Sequence, residues 1–270
     1  MKQNIKVAIA GLGAIGWELA QALDSGKVQG CQLAAVAARN TEKAQAKLQG
    51  LSRPVPLLPL AQLHEPADVV VECLPPALLQ DAAEPALQAG KTVVVLSVGA
   101  LLRFPQLLEQ ALEGPGQILV PSGAALGLDA IAAAAEGEIA SVKLVTRKPP
   151  AGFKGAPLVE AQGIDLDSLA QPLKLFEGSA RDAARDFPSN LNVAVALSLA
   201  GIGPDRTTLE VWADPGVTRN THSVEVVSDS SVLRMQIENI PSNNPKTSRI
   251  TALSVLALLR KLASPIRVGT

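Results

Sequence analysis

The chain of 270 residues has no tyrosine, and aromatic residues make up only 2% of it. That scarcity argues against tyrosine acid–base chemistry and against aromatic platforms for stacking nucleic-acid bases. Lys and Arg total 24 against 25 Asp and Glu. With charge so balanced, neither nucleic acid nor an anionic membrane is expected as a partner. Cysteine and histidine occur twice each, too few to expect a zinc site or any other metal. Cys31 and Cys73 sit in apolar, strand-like surroundings. They read as buried free thiols in a reducing compartment, which makes the cytoplasm the expected location. No apolar run reaches the roughly 18 residues of a membrane span. The opening "MKQNIKVAIAGLGAIG" has the outline of a secretion signal, but a strand, a glycine turn and a helix explain it better.

Hydrophobic residues make up 47% of the chain. They suffice for one large domain or two modest ones. In the first half, short apolar runs at Lys6–Ala10, Leu33–Arg39, Asp68–Leu74, Thr92–Val98 and Gln117–Val120 alternate with helical stretches such as Pro76–Ala89 and Phe104–Leu112. Strands buried on both faces and separated by helices imply a parallel sheet. "VPLLPL" at Val55–Leu60 reads as a weak edge strand, because its prolines cannot donate to a central ladder.

The second half changes character near Ile139. Strand candidates at 139–148, Pro172–Ala180, Thr207–Pro215, Thr221–Asp229 and Ser231–Asn239 alternate polar and apolar residues, the pattern of a mainly antiparallel sheet. Helices are expected at Ala180–Asp186, at Leu191–Leu199 and over about Thr247–Leu262. The expected fold class is therefore α/β: an N-terminal Rossmann-type parallel sheet plus a second α+β domain. The expected division is 1–122 with about 248–270 as one domain, built on the parallel sheet, and 123–247 as the other.

"GLGAIG" spans Gly11–Gly16 between the first strand and the first helix. Gly11 permits the tight turn, Gly13 the approach of a pyrophosphate, and Gly16 close packing of helix on strand. The helix start, with Ala14 and Ile15, offers N–H groups to the phosphates. The second strand ends "AARN", with Arg39 and Asn40 where an acid would otherwise grip the ribose 2′-hydroxyl. An arginine there can pair with a 2′-phosphate, so NADP is expected to be accepted alongside NAD. Leu74 and Pro75 follow the third strand at the edge where open α/β sheets bind ligands, and are expected beside the cofactor.

Longer strings carry more. "PSGAALGLDA" at 121–130, "TRKPP" at 146–150, "GSARDAARDFPSNLNVAVALSLAGIG" at 178–203, "ADPGVTRNTHSVEV" at 213–226 and "NIPSNNPKTSRITALS" at 239–254 together resemble the L-aspartate dehydrogenase family. The likeness covers essentially the whole chain. It implies a second domain like that of dihydrodipicolinate reductase, a homodimer, and oxidation of L-aspartate by NAD or NADP. The product would be iminoaspartate, which yields oxaloacetate and ammonia or feeds NAD synthesis. By the same resemblance the catalytic histidine is His222, and further cofactor contacts fall on Ala124 and Asn190.

The residues fit that chemistry. Oxidising an amine to an imine requires an unprotonated nitrogen, and a histidine with pKa near ~6.5 can take the proton. His222 shares strand parity with Asn220, Val224 and Val226, so His222 and Asn220 can face one way. Asn190 can both donate to and accept from a nicotinamide carboxamide. Two substrate carboxylates need fixed donors. Lys246, Ser242, Asn243 and Thr247 in "PSNNPKTS" are the leading set, with Lys148 and Arg147 of "TRKPP" as rivals. Two other readings stay open: a different reductase of the same fold, and an NAD(P)-binding redox sensor without turnover.

Overall fold

The computed structural model describes residues 4–187, 191–240 and 248–269. The chain divides into two compact units, Met1–Gly123 with Thr251–Val268, and Ala124–Ile250 with Gly269–Thr270.

The first unit alternates strand and helix: β1 (Ile5–Ala10), α1 (Ala14–Asp24), β2 (Cys31–Ala37), α2 (Thr41–Leu48), β3 (Val69–Glu72), α3 (Leu79–Gln88), β4 (Thr92–Val95), α4 (Pro105–Glu113) and β5 (Gln117–Leu119). Among the described residues its strands form one parallel sheet in the order β2-β1-β3-β4-β5. Val69–Val71 and Val93–Val95 are buried, because helices cover both faces and leave no solvated side. The C-terminal helix Arg249–Ala263 lays Ala252, Val255, Leu256 and Leu259 into the same core as Val7, Ile9 and Leu19. The proline-bearing segment expected at the edge makes a single parallel bridge, Val36–Leu57. Leu58 N donates to Val36 O at 2.8 Å. Pro56 and Pro59 lack the N–H that a longer ladder would need.

From β1 the chain steps to one side for β2 and to the other for β3. The order therefore reverses between β1 and β3, and the loops at their C-terminal ends flank the crevice where such sheets bind ligands.

The second unit runs α5 (Leu128–Ala135), β6 (Ile139–Lys148), α6 (Pro157–Ala161), β7 (Leu173–Ser179), α7 (Ala180–Asp186), α8 (Asn192–Ala200), β8 (Thr207–Ala213), β9 (Asn220–Ser228) and β10 (Val232–Asn239). The sheet order is β10-β9-β6-β8-β7. The alternation implied mainly antiparallel pairing. That is what forms, apart from the parallel pair β6–β8. α5 was not expected. It is the run "LDAIAAAA", short and mostly alanine, a residue of high propensity for helix.

One face of this sheet packs Val142, Leu144, Val224 and Val226 against Ile131, Ala183, Phe187 and Leu197 of the helical layer. The other face carries paired charges, with Lys143–Glu210 at 2.7 Å and Arg234–Glu225 at 2.6 Å.

Candidate cofactor loop and polar end of the second sheet

The glycine turn is built for close backbone approach. Gly11 has φ +102°, and a β-carbon there would sit 2.5 Å from the Cys73 carbonyl oxygen. At Gly16 a β-carbon would overlap the Gly11 carbonyl. These two collisions show how tightly the loop after β1 packs on the loop after β3 and on α1. Gly13 is the opposite case: a β-carbon there would meet nothing within 4 Å, so the space above it is open. Gly13 is the N-cap of α1 and supplies no side-chain cap. The first-turn amides, at Ala14, Ile15 and Gly16, thus lack intrahelical acceptors and lie at the positive end of the helix dipole. An open cradle with uncapped amides fits the pyrophosphate of a dinucleotide.

Lys47 steadies this loop from α2. Its Nζ donates to the Leu12 carbonyl at 3.2 Å and lies 5.3 Å from the centre of the Trp17 ring. Arg39 is exposed just beyond β2. Asn40 caps α2, its Oδ1 accepting from Lys43 N at 2.8 Å, so one of its polar atoms is already committed to the fold.

Glu72, the last residue of β3, was not singled out in the sequence, yet it is fully buried. Its Oε1 accepts from Leu74 N at 2.7 Å and lies 3.0 Å from Ser97 Oγ. Its Oε2 accepts from Leu96 N at 3.1 Å and Ser97 N at 2.9 Å. One carboxylate thus ties the loop after β3, with half-buried Leu74 and exposed Pro75, to the loop after β4. Burial pushes the Glu72 carboxyl up, against hydrogen bonds that pull it down. The only local hint was an acid closing an otherwise apolar run.

In the second unit, register assembles a polar patch. Across β6, β9 and β10 the inward rows read Val142–Val226–Leu233, then Leu144–Val224–Met235, then Thr146–His222–Ile237. One residue beyond the Arg147–Thr221 pair come Lys148 and Asn220, and Asn220 pairs with Asn239. Strand alternation puts all these side chains on one face, so an apolar core gives way, row by row, to polar groups. Thr146, Lys148, His222 and Asn239 are buried and Asn220 is half-buried.

His222 lies inside this polar end. It is 2% exposed, and its Nδ1 lies 3.1 Å from Thr146 Oγ1. Burial, then the charge of Lys148, lowers its pKa to about 3, below the value near 6.5 expected from sequence, so the imidazole is neutral. Burial lowers Lys148 to about 8, and its Nζ lies 5.6 Å from the Phe153 ring centre. Arg147 points to the other face, where it pairs with Asp214 at 3.2 Å and stacks over Trp212. Alternation thus separates the two expected rivals and brings only Lys148 to His222.

Ala124 is half-buried, and its carbonyl accepts from Asn239 Nδ2 at 3.3 Å. Asn190, Ser242, Asn243, Lys246 and Thr247 lie outside the described residues. Among the described residues no cluster of His, Cys, Asp or Glu could hold a metal ion, and no helix is long and apolar enough to cross a membrane.

Known proteins match both units. The C-terminal domain model of aspartate dehydrogenase covers residues 129–262, and the NAD-binding domain model of homoserine dehydrogenase covers 11–121. L-aspartate dehydrogenase 3 of Bordetella bronchiseptica is 62% identical over 100% of this chain and 99% of its own length. L-aspartate dehydrogenase of Bradyrhizobium diazoefficiens is 58% identical over 99% and 95%. A crystal structure of aspartate dehydrogenase from Thermotoga maritima superposes with TM-score 0.72 at 25% identity, covering 99% of this chain and all of that one. Scyllo-inositol dehydrogenase from Lactobacillus casei, solved with NAD(H) and scyllo-inositol, gives TM-score 0.53 at 15% identity over 99% and 91%, which speaks to the fold alone. With that identity running end to end, the chain belongs to the L-aspartate dehydrogenase family.

Proposed function

We propose that the chain oxidises L-aspartate to iminoaspartate with NAD or NADP, and runs the reverse reductive amination. The observation that carries this reading is the buried row Thr146–His222, with Lys148 two residues beyond Thr146 on the same face. A bound nicotinamide would supply the hydride acceptor. The chain supplies the rest.

Lys148 receives a substrate carboxylate. That contact brings a negative charge beside the ammonium whose field helps hold His222 neutral. The imidazole's proton affinity therefore rises as substrate arrives, which turns a poor base into a competent one. With Nδ1–H donating to Thr146 Oγ1, Nε2 keeps its lone pair and takes a proton from the substrate ammonium. The freed nitrogen lone pair then forms C=N as hydride leaves Cα. In the hydrolytic branch the imidazolium first returns that proton to solvent, and the neutral imidazole then deprotonates the attacking water, giving oxaloacetate and ammonia.

Gly11–Gly16 holds the pyrophosphate, Leu74 and Pro75 flank the cofactor, and Ala124 and Asn190 complete its site. Arg39 and Asn40 adapt the site to a 2′-phosphate, so NADP is used as well as NAD. Asn220 contacts substrate, joined by Ser242, Asn243, Lys246 and Thr247. The protein works as a homodimer in the cytoplasm and can feed iminoaspartate to pyridine nucleotide synthesis. The family membership and the reducing environment implied by two free thiols support these last points.

The test is absorbance at 340 nm with L-aspartate, D-aspartate, L-glutamate and L-alanine and each cofactor. L-Aspartate should dominate. His222→Ala should keep NADH binding and lose kcat by about 10²–10⁴-fold. A preferred substrate other than L-aspartate would overturn the reading, as would undiminished turnover in His222→Ala.

A further inference from the structure

β10 ends on a side chain that the proposed mechanism does not use. Asn239 is 3% exposed, and its Nδ2 donates to the Ala124 carbonyl. Its Oδ1 is buried and has no hydrogen-bond partner among the described residues. Turning the amide over would set oxygen against the Ala124 oxygen and bury unpaired N–H groups, so the donor and acceptor are assigned by their surroundings. A buried amide oxygen without a donor has given up its hydration for nothing in return. Such an atom is explained if a donor arrives from outside the chain.

Its position says which donor. Asn239 pairs with Asn220, and the next inward pair along the strands is Ile237 with His222. Asn239 therefore closes the polar end of the inward face that carries His222 and Lys148. Both of those groups interact with charge, whereas an amide oxygen accepts an N–H without adding charge beside them.

We propose that Asn239 is a ligand-binding residue: its Oδ1 accepts an N–H from one member of the reacting pair, while its Nδ2 anchors Ala124. This rests on the dehydrogenase reading above. Two N–H donors share the needed chemistry, the α-amine of the amino-acid substrate and the primary carboxamide of the nicotinamide. Either contact orients a reacting group, because the acceptor sits on a strand end pinned to the Ala124 segment.

Analogues that lack one N–H each separate the sources. Succinate is the dicarboxylate without the amine. The acetylpyridine analogue of the reduced cofactor has a methyl ketone in place of the carboxamide. Fluorescence titration reads cofactor binding with no turnover. For wild-type protein and for Asn239→Ala we would measure the Kd of NADH and of the acetylpyridine analogue, the KM of L-aspartate and the Ki of succinate. If the amine is the donor, Asn239→Ala raises the KM of L-aspartate about tenfold and leaves the Ki of succinate unchanged. If the carboxamide is the donor, it raises the Kd of NADH about tenfold and leaves that of the analogue unchanged. Circular dichroism and thermal melting of Asn239→Ala guard against a folding defect, and the comparison of ligands with and without the N–H is made within that one variant. The proposal fails if Asn239→Ala moves none of the four constants, or moves ligands with and without the N–H equally, the mark of a structural or water-filled site. Wild-type turnover is read first: no L-aspartate oxidation there would end the dehydrogenase reading, and the two cofactor titrations would still decide the role of Asn239.

Discussion

The Thr146 hydroxyl lies 3.1 Å from Nδ1 of His222 across the β6–β9 pairing, and both side chains are buried. A buried imidazole with one nitrogen engaged has its tautomer chosen by that partner. When Thr146 Oγ1 accepts from Nδ1–H, the other nitrogen keeps its lone pair.

Thr146→Val keeps the shape and removes the acceptor. We expect kcat to fall roughly tenfold, as for the loss of one buried hydrogen bond, with the KM of L-aspartate little changed. Thr146→Ser should restore most of the rate. Steady-state kinetics on the two variants checks this, and equal losses in both would mean the hydroxyl only packs.

Acid should destabilise the protein partly through His222. Its pKa is about 3 when folded, against 6.5 for the free group. Between those values the unfolded chain binds a proton that the folded chain refuses. Stability is therefore unaffected by this group above about 6.5 and falls as pH drops below it, by up to about 1.4 kcal/mol per pH unit. Urea unfolding between pH 7 and 4.5 should show a shallower loss for His222→Gln than for wild type. Parallel curves would contradict a buried, neutral imidazole.

Glu72 should matter to both stability and cofactor affinity. Replacing it with Leu leaves the amides of Leu74, Leu96 and Ser97 without their acceptor. A loss of about 2–4 kcal/mol is expected, with weaker NADH binding as the two loops lose their tie. Calorimetry and fluorescence titration together report both effects. A variant as stable as wild type would show that the loops hold themselves.

Arg39→Ala should lower NADPH affinity about tenfold and leave NADH affinity nearly unchanged, because a charge-assisted pair is lost only where a 2′-phosphate is present. The ratio of the two dissociation constants is the measurement. An unaltered ratio would place 2′-phosphate recognition elsewhere.

Much of the cofactor half was legible along the chain. A strand, a glycine turn and an uncapped helix are set by neighbours a few residues apart, so Gly11, Gly13 and Gly16 could be assigned directly. The cap that Asn40 makes on α2 is set just as locally. Glu72 was not, because its meaning depends on amides 24 and 25 residues away. The parallel pair β6–β8 and the helix α5 were also missed, the first because pairing is non-local and the second because alanine carries no period.

In the second unit, strand alternation was enough to put His222 with Asn220, since parity is a property of the backbone alone; Lys148 and Arg147 stayed rivals until the sheet showed which of them faces inward. Which strand lies beside which is decided by packing the whole sheet against its helices. That choice set Thr146 against His222, 76 residues apart, while the turn at Ala124 reaches Asn239, 115 residues away, through packing outside the strand ladders. The residue types and their faces are written locally in the chain. The partner that tunes the imidazole comes only from register, and register is settled by burying one sheet face as a unit.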